Sequence, residues 1–135
     1  MPTPVRELTG ITDTIVATLK GKGIANNDDL VNAAATPQQR KALAEDCGCD
    51  PKVILELANR ADLARIKGVS GVYSNLLECA GVDTVKELAT RRPDNLHAKL
   101  LETNTAEPLT ERPPTAAQVT DWIAQAKALP PTLSY

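Results

Sequence analysis

The sequence has 135 residues and a formal net charge of −2, from 15 Lys and Arg against 17 Asp and Glu. A chain of this length fits one compact domain or two very small ones, and its charge balance excludes the strongly basic surface that drives nucleic-acid binding by charge alone. Because 42% of the residues are apolar but there is no Phe, one Trp and two Tyr, the core must be built from aliphatic side chains.

The residue pattern predicts an all-α fold. Val and Ile mostly stand singly among polar residues, and no alternating run is long enough for a strand. Helix-starting side chains and helix-ending glycines recur along the chain instead, and they predict roughly ten helices of two to four turns. In the first half the predicted helix starts are Thr12, Asn26, Thr36 with Pro37, and Asp50 with Pro51.

The second half of the chain repeats the first. Residues 8–30 align without a gap on residues 66–88, 58 positions later, and residues 53–63 align on residues 119–129, 66 positions later. Self-similarity of this kind is the mark of a duplicated structural unit. The aligned pairs include Leu8 with Ile66, Gly10 with Gly68, Thr12 with Ser70, Gly23 with Gly81, and Leu30 with Leu88. In the second half the predicted helix starts are Ser70, Thr84 with Glu87, Arg92 with Pro93, and Thr115 with Gln118.

The alignment predicts how the chain is divided. We expect two helical units, residues 1–62 and 63–135, packed into one continuous globule without a flexible linker. The change of offset places an insertion at about 102–114, a polar stretch with three prolines. The proline-rich tail, 130–135, is either flexible or docked on a neighbouring surface.

Two short stretches carry a resemblance to known proteins. LTGIT and IKGVSG, each followed by an apolar helix ending in Gly-Ile or Gly-Val, resemble the helix-hairpin-helix motif. More closely, DLARIKGVSGVYSNLLECAGVDTVKELATRRPDNLHAKLLETN followed by RPPTAAQVTDWIAQAKAL resembles the domain-of-unknown-function 4332 family, which is similar to tandem helix-hairpin-helix domains. The resemblance covers the chain from about residue 5 to residue 130. It implies a fold and brings no established activity.

The resemblance also points to a candidate site for the phosphate backbone of a nucleic acid. In helix-hairpin-helix motifs that bind nucleic acid, a glycine turn presents backbone N–H groups at a helix N-terminus, where a phosphate is favoured. In the first unit Asp13 would repel a phosphate, so that turn is the weaker candidate. The candidate residues are Arg65, Lys67, Gly68, Val69, Ser70 and Gly71 in the second unit, and Gly10, Ile11 and Thr12 in the first.

The cysteines and the single histidine are the remaining candidates for chemistry. Cys47, Cys49, Cys79 and His97 lack the two closely spaced pairs typical of a structural zinc site. The carboxylates beside Cys47 and Cys49 should raise their thiol pKa values, which disfavours a redox role. We therefore interpret Cys47-Gly48-Cys49 as a helix end, with the glycine as the stop. No residue is assigned a catalytic, cofactor-binding or metal-binding role.

These observations together predict a non-enzymatic helical binding module. The first hypothesis is a protein-protein interaction or scaffold function. The alternative is weak, sequence-independent binding of a DNA or RNA backbone through the turn at Gly68. We expect no small-molecule substrate and no cofactor. Since the sequence shows no signal peptide and no membrane span, we expect a cytoplasmic protein that does not bind membranes.

Overall fold

A computed structural model describes residues 3–8, 10–69, 71–129 and 132–133. Within these residues the fold is all-α, as predicted, with eight α-helices and one short 3-10 helix, Val5–Glu7. The described residues hold fewer helices than the ten expected, because the segments that lead into each glycine turn do not form α-helices. The α-helices are α1 Asp13–Gly21, α2 Asn27–Ala33, α3 Pro37–Cys47, α4 Pro51–Leu63, α5 Gly71–Cys79, α6 Val85–Ala89, α7 Pro93–Ala106 and α8 Ala116–Ala128. No helix among the described residues is long and apolar enough to cross a membrane.

Side-chain caps start several helices where the sequence predicts them. Thr36 and Thr115 each form a reciprocal capping box with the glutamine three residues later. Asp50 caps α4 through the backbone N–H of Lys52, at 2.9 Å. Such caps satisfy backbone N–H groups that have no partner inside the helix.

The capping box expected at the start of α6 is only half formed. The hydroxyl of Thr84 accepts from the backbone N–H of Glu87 at 3.2 Å. The Glu87 carboxylate does not complete the box, because it binds the guanidinium of Arg91 at 2.9 Å one turn further on. A charged partner makes a stronger hydrogen bond to a carboxylate than a neutral backbone N–H does.

The end of α3 confirms that Cys47-Gly48-Cys49 is a helix stop. Gly48 has φ 68°, a left-handed conformation that glycine adopts without strain. The N–H of Cys49 donates to the carbonyl of Ala44 at 3.0 Å, and the N–H of Gly48 donates to that of Glu45 at 3.3 Å. This pair of bonds is the Schellman motif. Cys49 then packs against the apolar core of the first half.

Two apolar clusters form the interior of the described chain. One contains buried residues between Val5 and Ala61, and the other contains buried residues between Leu63 and Ala126. The boundary between the clusters falls at the end of α4, close to the predicted boundary at residue 62. Leu63, Ile66 and Val69 are all buried, so the segment that joins the two halves is packed rather than exposed.

The insertion begins later than the sequence predicts. The loop was expected at about 102–114, but α7 continues to Ala106. Thr103 and Thr105 donate to carbonyls four residues earlier, at 2.7 and 2.8 Å, so these polar residues fit the helix. The side chain of Asn104 then holds the loop, since its oxygen accepts from the N–H of Leu109 at 2.9 Å.

Part of the tail at 130–135 is described. Leu133 packs against the apolar cluster of the first half, and the hydroxyl of Thr132 accepts from Arg65 at 3.2 Å. The remaining tail residues lie outside the described residues. Thr132 and Leu133, the described part of the tail, therefore contact the folded chain.

Candidate functional site

The second glycine turn, described over residues 65–69, follows α4 and precedes α5. Gly68 has φ 93°, and the N–H of Val69 donates to the carbonyl of Ile66 at 3.1 Å. The first glycine turn, residues 10–12, has the same form, with Gly10 at φ 88°. Ser70, a predicted cap and phosphate contact, lies outside the described residues. The turn conformation that the two glycines predict is therefore present in both places.

Helix α8 packs directly on the second glycine turn. The Gln125 side chain accepts from the backbone N–H of Lys67 at 2.9 Å and donates to the Lys67 carbonyl at 3.2 Å. Asp121 orients Gln125 by accepting from its amide at 2.8 Å. Consequently, the backbone N–H and carbonyl of Lys67 are both bonded within the protein, while its side chain is exposed.

Trp122 of α8 fills the space beside the same turn. A Cβ atom added at Gly68 would lie 3.1 Å from Nε1 of the Trp122 indole. The indole is 1% exposed, and its ring centroid lies 5.3 Å from that of Tyr73. Gly68 therefore serves two needs, a left-handed backbone and the close approach of α8.

Replacement of Gly68 with alanine should destabilise the protein by about 2–4 kcal/mol. The left-handed conformation costs an alanine roughly 1–2 kcal/mol, and the contact with Trp122 adds an overpacking cost of similar size. Gly23→Ala is the matched control, because Gly23 has φ 80° but no atom within 4 Å of the added Cβ. Urea unfolding should show the larger loss for Gly68→Ala. Equal losses would mean that Trp122 does not press on the turn.

Arg65 is held inside the protein instead of being offered to a ligand. Its side chain is 12% exposed, and Nη1 lies 2.8 Å from Oδ1 of the buried Asp62. Oδ2 of Asp62 accepts from the backbone N–H of Val85 at 2.8 Å. Asp62 thus connects the end of α4 to Arg65 and to the start of α6. Its negative charge also compensates the positive charge of Arg65, which would otherwise attract a phosphate.

The cation nearest the first glycine turn is Arg60 of α4. A Cβ added at Gly10 would lie 3.6 Å from its Nη1. Arg60 also pairs across the two halves with Glu78 of α5, with Nε 3.0 Å from Oε2. Neither of these two buried atoms makes a well-aligned hydrogen bond. The pair is therefore an ion pair held by proximity rather than by directed bonding.

Burial raises the pKa of the Glu78 carboxyl above its ordinary value. Arg60 acts in the opposite direction, while the nearby carboxylates of Asp83 and Glu56 raise the pKa further. Because the folded state holds this proton more tightly than the unfolded chain does, Glu78 contributes more stability as the pH falls through its folded-state pKa.

The stability difference between the wild type and Glu78→Gln should therefore shift with pH. As the pH is lowered from neutral, the wild type should gain free energy of unfolding relative to the glutamine variant. Urea unfolding at several pH values measures this difference, with the exposed Glu102→Gln as the surface variant measured in parallel. A wild type that loses stability relative to Glu78→Gln on acidification would contradict the assignment.

Among the described residues, no three His, Cys, Asp or Glu side chains form a group that could hold a metal ion. The three cysteines and His97 are therefore not part of such a group. Burial is the main cause that raises the pKa of all three thiols, and nearby acidic groups add to it. Nε2 of His97 lies 3.1 Å from the carbonyl oxygen of Pro114, a contact that ties α7 to the loop before α8.

A small groove between α6 and α8 is the feature that sequence reasoning missed. It has a volume of about 200 Å³, an apolar floor and one lysine on each helix. The one sequence signal for it was the alignment of Lys127 with the small residue Ala61. The lining residues are Val85, Lys86 and Ala89 of α6, and Ala126, Lys127 and Leu129 of α8 and its end.

A second, wider depression lies on the other side of α6. It measures about 490 Å³, and its lining side chains are amide, hydroxyl, acidic and basic groups without a common charge. Its acidic Asp83 and Glu87 face the basic Lys86, and Glu87 is already bound to Arg91. The groove between α6 and α8 is therefore the better-defined candidate.

Comparison with known proteins gives one match. The family described as "Domain of unknown function (DUF4332)" matches residues 9–129, nearly the whole chain. No curated protein and no solved structure matches the chain at a significant level.

Proposed function

The chain belongs to the DUF4332 family, and we propose that it is a non-enzymatic helical module that binds a protein partner. The observation that carries the proposal is the apolar groove between α6 and α8, lined by Val85, Ala89, Ala126 and Leu129. A protein-protein interface usually gains most of its affinity from a few side chains buried in such pockets.

The size of the groove favours an anchoring side chain over a small molecule. Its volume of about 200 Å³ lies below the usual range of roughly 300–1,000 Å³ for ligand pockets. The floor is fixed by core residues, since Val85 and Ala126 are 2% and 3% exposed. A preformed floor of this kind can take an aliphatic side chain with little ordering cost.

The second glycine turn supports the same proposal by what it does inside the protein. Its Arg65 side chain pairs with Asp62, and its Lys67 backbone N–H pairs with Gln125. The Arg65 guanidinium would have to leave Asp62 to bind a phosphate, and the bonds from Gln125 hold the turn against α8. Backbone binding of nucleic acid through this turn is therefore the less favoured function.

We also propose that the module consists of two tandem helix-hairpin-helix-like units, residues 1–62 and 63–135, and that it acts in the cytoplasm. Equivalent hydrogen bonds at positions 58 apart support the first proposal. Ile24 N–H donates to Leu19 O at 2.9 Å, and Val82 N–H donates to Leu77 O at 2.8 Å. All three cysteines are free, which fits a reducing compartment.

Two titrations test the proposed function. The isotope-labelled full chain is titrated with a helical alanine-based peptide that carries two leucines one turn apart, and separately with duplex and single-stranded DNA at low salt. We expect amide shifts of Val85–Ala89 and Ala126–Leu129 with the peptide, and their loss in Ala89→Leu, which fills the groove. DNA-dependent shifts at Arg65–Val69 that Lys67→Glu abolishes would contradict the proposal.

A further inference from the structure

We propose that the groove between α6 and α8 selects an acidic partner segment, in which carboxylates flank an aliphatic anchor. This inference rests on the proposed function of the groove and specifies the chemistry of its partner. In this groove an apolar floor is bordered by a lysine from each of two helices.

Two lysines border the groove, one on each helix. Lys86 on α6 and Lys127 on α8 both line the groove, and both are exposed. None of the salt bridges among the described residues uses either ammonium group. Two acidic residues lie near Lys86: Glu87 is bound to Arg91 at 2.9 Å, and Asp83 lines the wider depression. No acidic side chain is among the described residues that line the groove, so its lining carries a local positive charge on a chain whose net charge is negative.

The first half of the chain has no such opening at the described residues that align with the groove. Asn27 and Ala61 align with Val85 and Lys127, and both of these first-half residues are fully buried. The Asn27 amide donates to the Ala61 carbonyl at 3.1 Å, and its oxygen accepts from the N–H of Thr3 at 2.7 Å. Hydrogen bonds close this place in the first half, whereas the second half has a groove.

The apolar floor and the two lysines determine which partner chemistry fits the groove. An aliphatic side chain replaces water on the floor formed by Val85 and Ala126, and this burial supplies most of the affinity. Carboxylates on either side of the anchor then lie near Lys86 and Lys127. Charge pairs at the edge of an interface chiefly determine which partner binds and how strongly binding depends on salt.

Three matched peptides test the inference. Each is a labelled, alanine-based helical peptide with two leucines one turn apart, and the flanking residues are glutamate, glutamine or lysine. By fluorescence anisotropy, the full chain should bind the glutamate peptide about tenfold more tightly than the glutamine peptide. Added salt should reduce this preference.

Reversing the charge of both lysines tests whether they cause the preference for the glutamate peptide. The double variant Lys86→Glu/Lys127→Glu should lose the preference for the glutamate peptide and bind the lysine peptide best. Lys41→Glu/Lys52→Glu is the matched control, because it makes the same charge change at exposed positions of the first half. Urea unfolding confirms that both variants are folded, and the control should keep the wild-type preference.

The outcomes separate the inference from the function on which it rests. Equal binding of the three peptides, still blocked by Ala89→Leu, would overturn the acidic selectivity and leave a protein-binding groove. No binding of any peptide would overturn both proposals. Self-association of the chain that Ala89→Leu abolishes would assign the groove to a second copy, and it would also overturn the inference.

Discussion

Replacement of Trp122 with alanine should destabilise the protein by about 3–5 kcal/mol, the usual cost of removing a large aromatic side chain from a core. The indole is 1% exposed and contacts both Tyr73 and the turn at Gly68. Trp122 is the single tryptophan of the chain, so the substitution removes the one indole from the core. Urea unfolding, monitored by circular dichroism, measures the loss in the free energy of unfolding.

Two further variants make the Trp122 experiment specific. Trp122→Phe keeps an aromatic ring beside Tyr73, and it should cost clearly less than Trp122→Ala. Leu101→Ala removes an apolar side chain that is 37% exposed, and its effect should stay within about 0.5 kcal/mol. A Trp122→Ala loss as small as that of Leu101→Ala would contradict the view that α8 is anchored on the second glycine turn.

Asp62→Ala should also cost about 3–5 kcal/mol, because it removes the carboxylate of a largely buried ion pair and leaves the charge of Arg65 without compensation by Asp62. Arg65 would remain largely buried without the carboxylate that lies 2.8 Å from its Nη1. The backbone N–H of Val85 would lose its acceptor as well. Urea unfolding measures the loss, and Glu102→Ala on the exposed side of α7 is the surface control.

The double variant Asp62→Ala/Arg65→Ala distinguishes the cause. If most of the lost free energy of unfolding comes from the Arg65 charge that Asp62 no longer compensates, removing Arg65 as well should recover part of the stability lost in Asp62→Ala. Coupling between two residues in direct contact is typically 0.5–3 kcal/mol. A double variant that loses the full sum of the two single losses would show that Asp62 and Arg65 act independently.

Local signals were the part of the fold that the sequence could predict. Thr36, Asp50 and Thr115 cap helices because each needs only a backbone N–H two or three residues away. Gly48 ends α3 for a similar reason, since the left-handed residue and its hydrogen bonds lie within one turn. Such features depend on residue type at short range, and tertiary packing leaves them unchanged.

The candidate site depended on contacts that local sequence does not contain. The phosphate prediction relied on Arg65 and Lys67 as cations that flank the turn at Gly68, and it could not include the partners of Arg65 or the contact of the turn with α8. Gln125, which holds Lys67, is 58 residues away, and the bond from Val85 to Asp62 spans 23 residues. The sequence indicated a turn at Gly68, but only the packing of α8 shows how the groups of that turn are used.

The groove between α6 and α8 was hidden for a related reason. The repeat alignment showed Lys127 in place of Ala61, but a lysine in the last turn of a helix is also explained by the helix dipole. Only the folded chain brings Lys86 and Lys127 to the same apolar groove.

The peptide titration of the isotope-labelled full chain tests the central claim most directly. With the leucine peptide flanked by glutamates, we predict amide shifts confined to Val85–Ala89 and Ala126–Leu129, and no shifts at Arg65–Val69 when DNA is added instead. The central claim would be contradicted if DNA shifted the amide resonances of Arg65–Val69 while the peptide left those of Val85–Ala89 and Ala126–Leu129 unchanged.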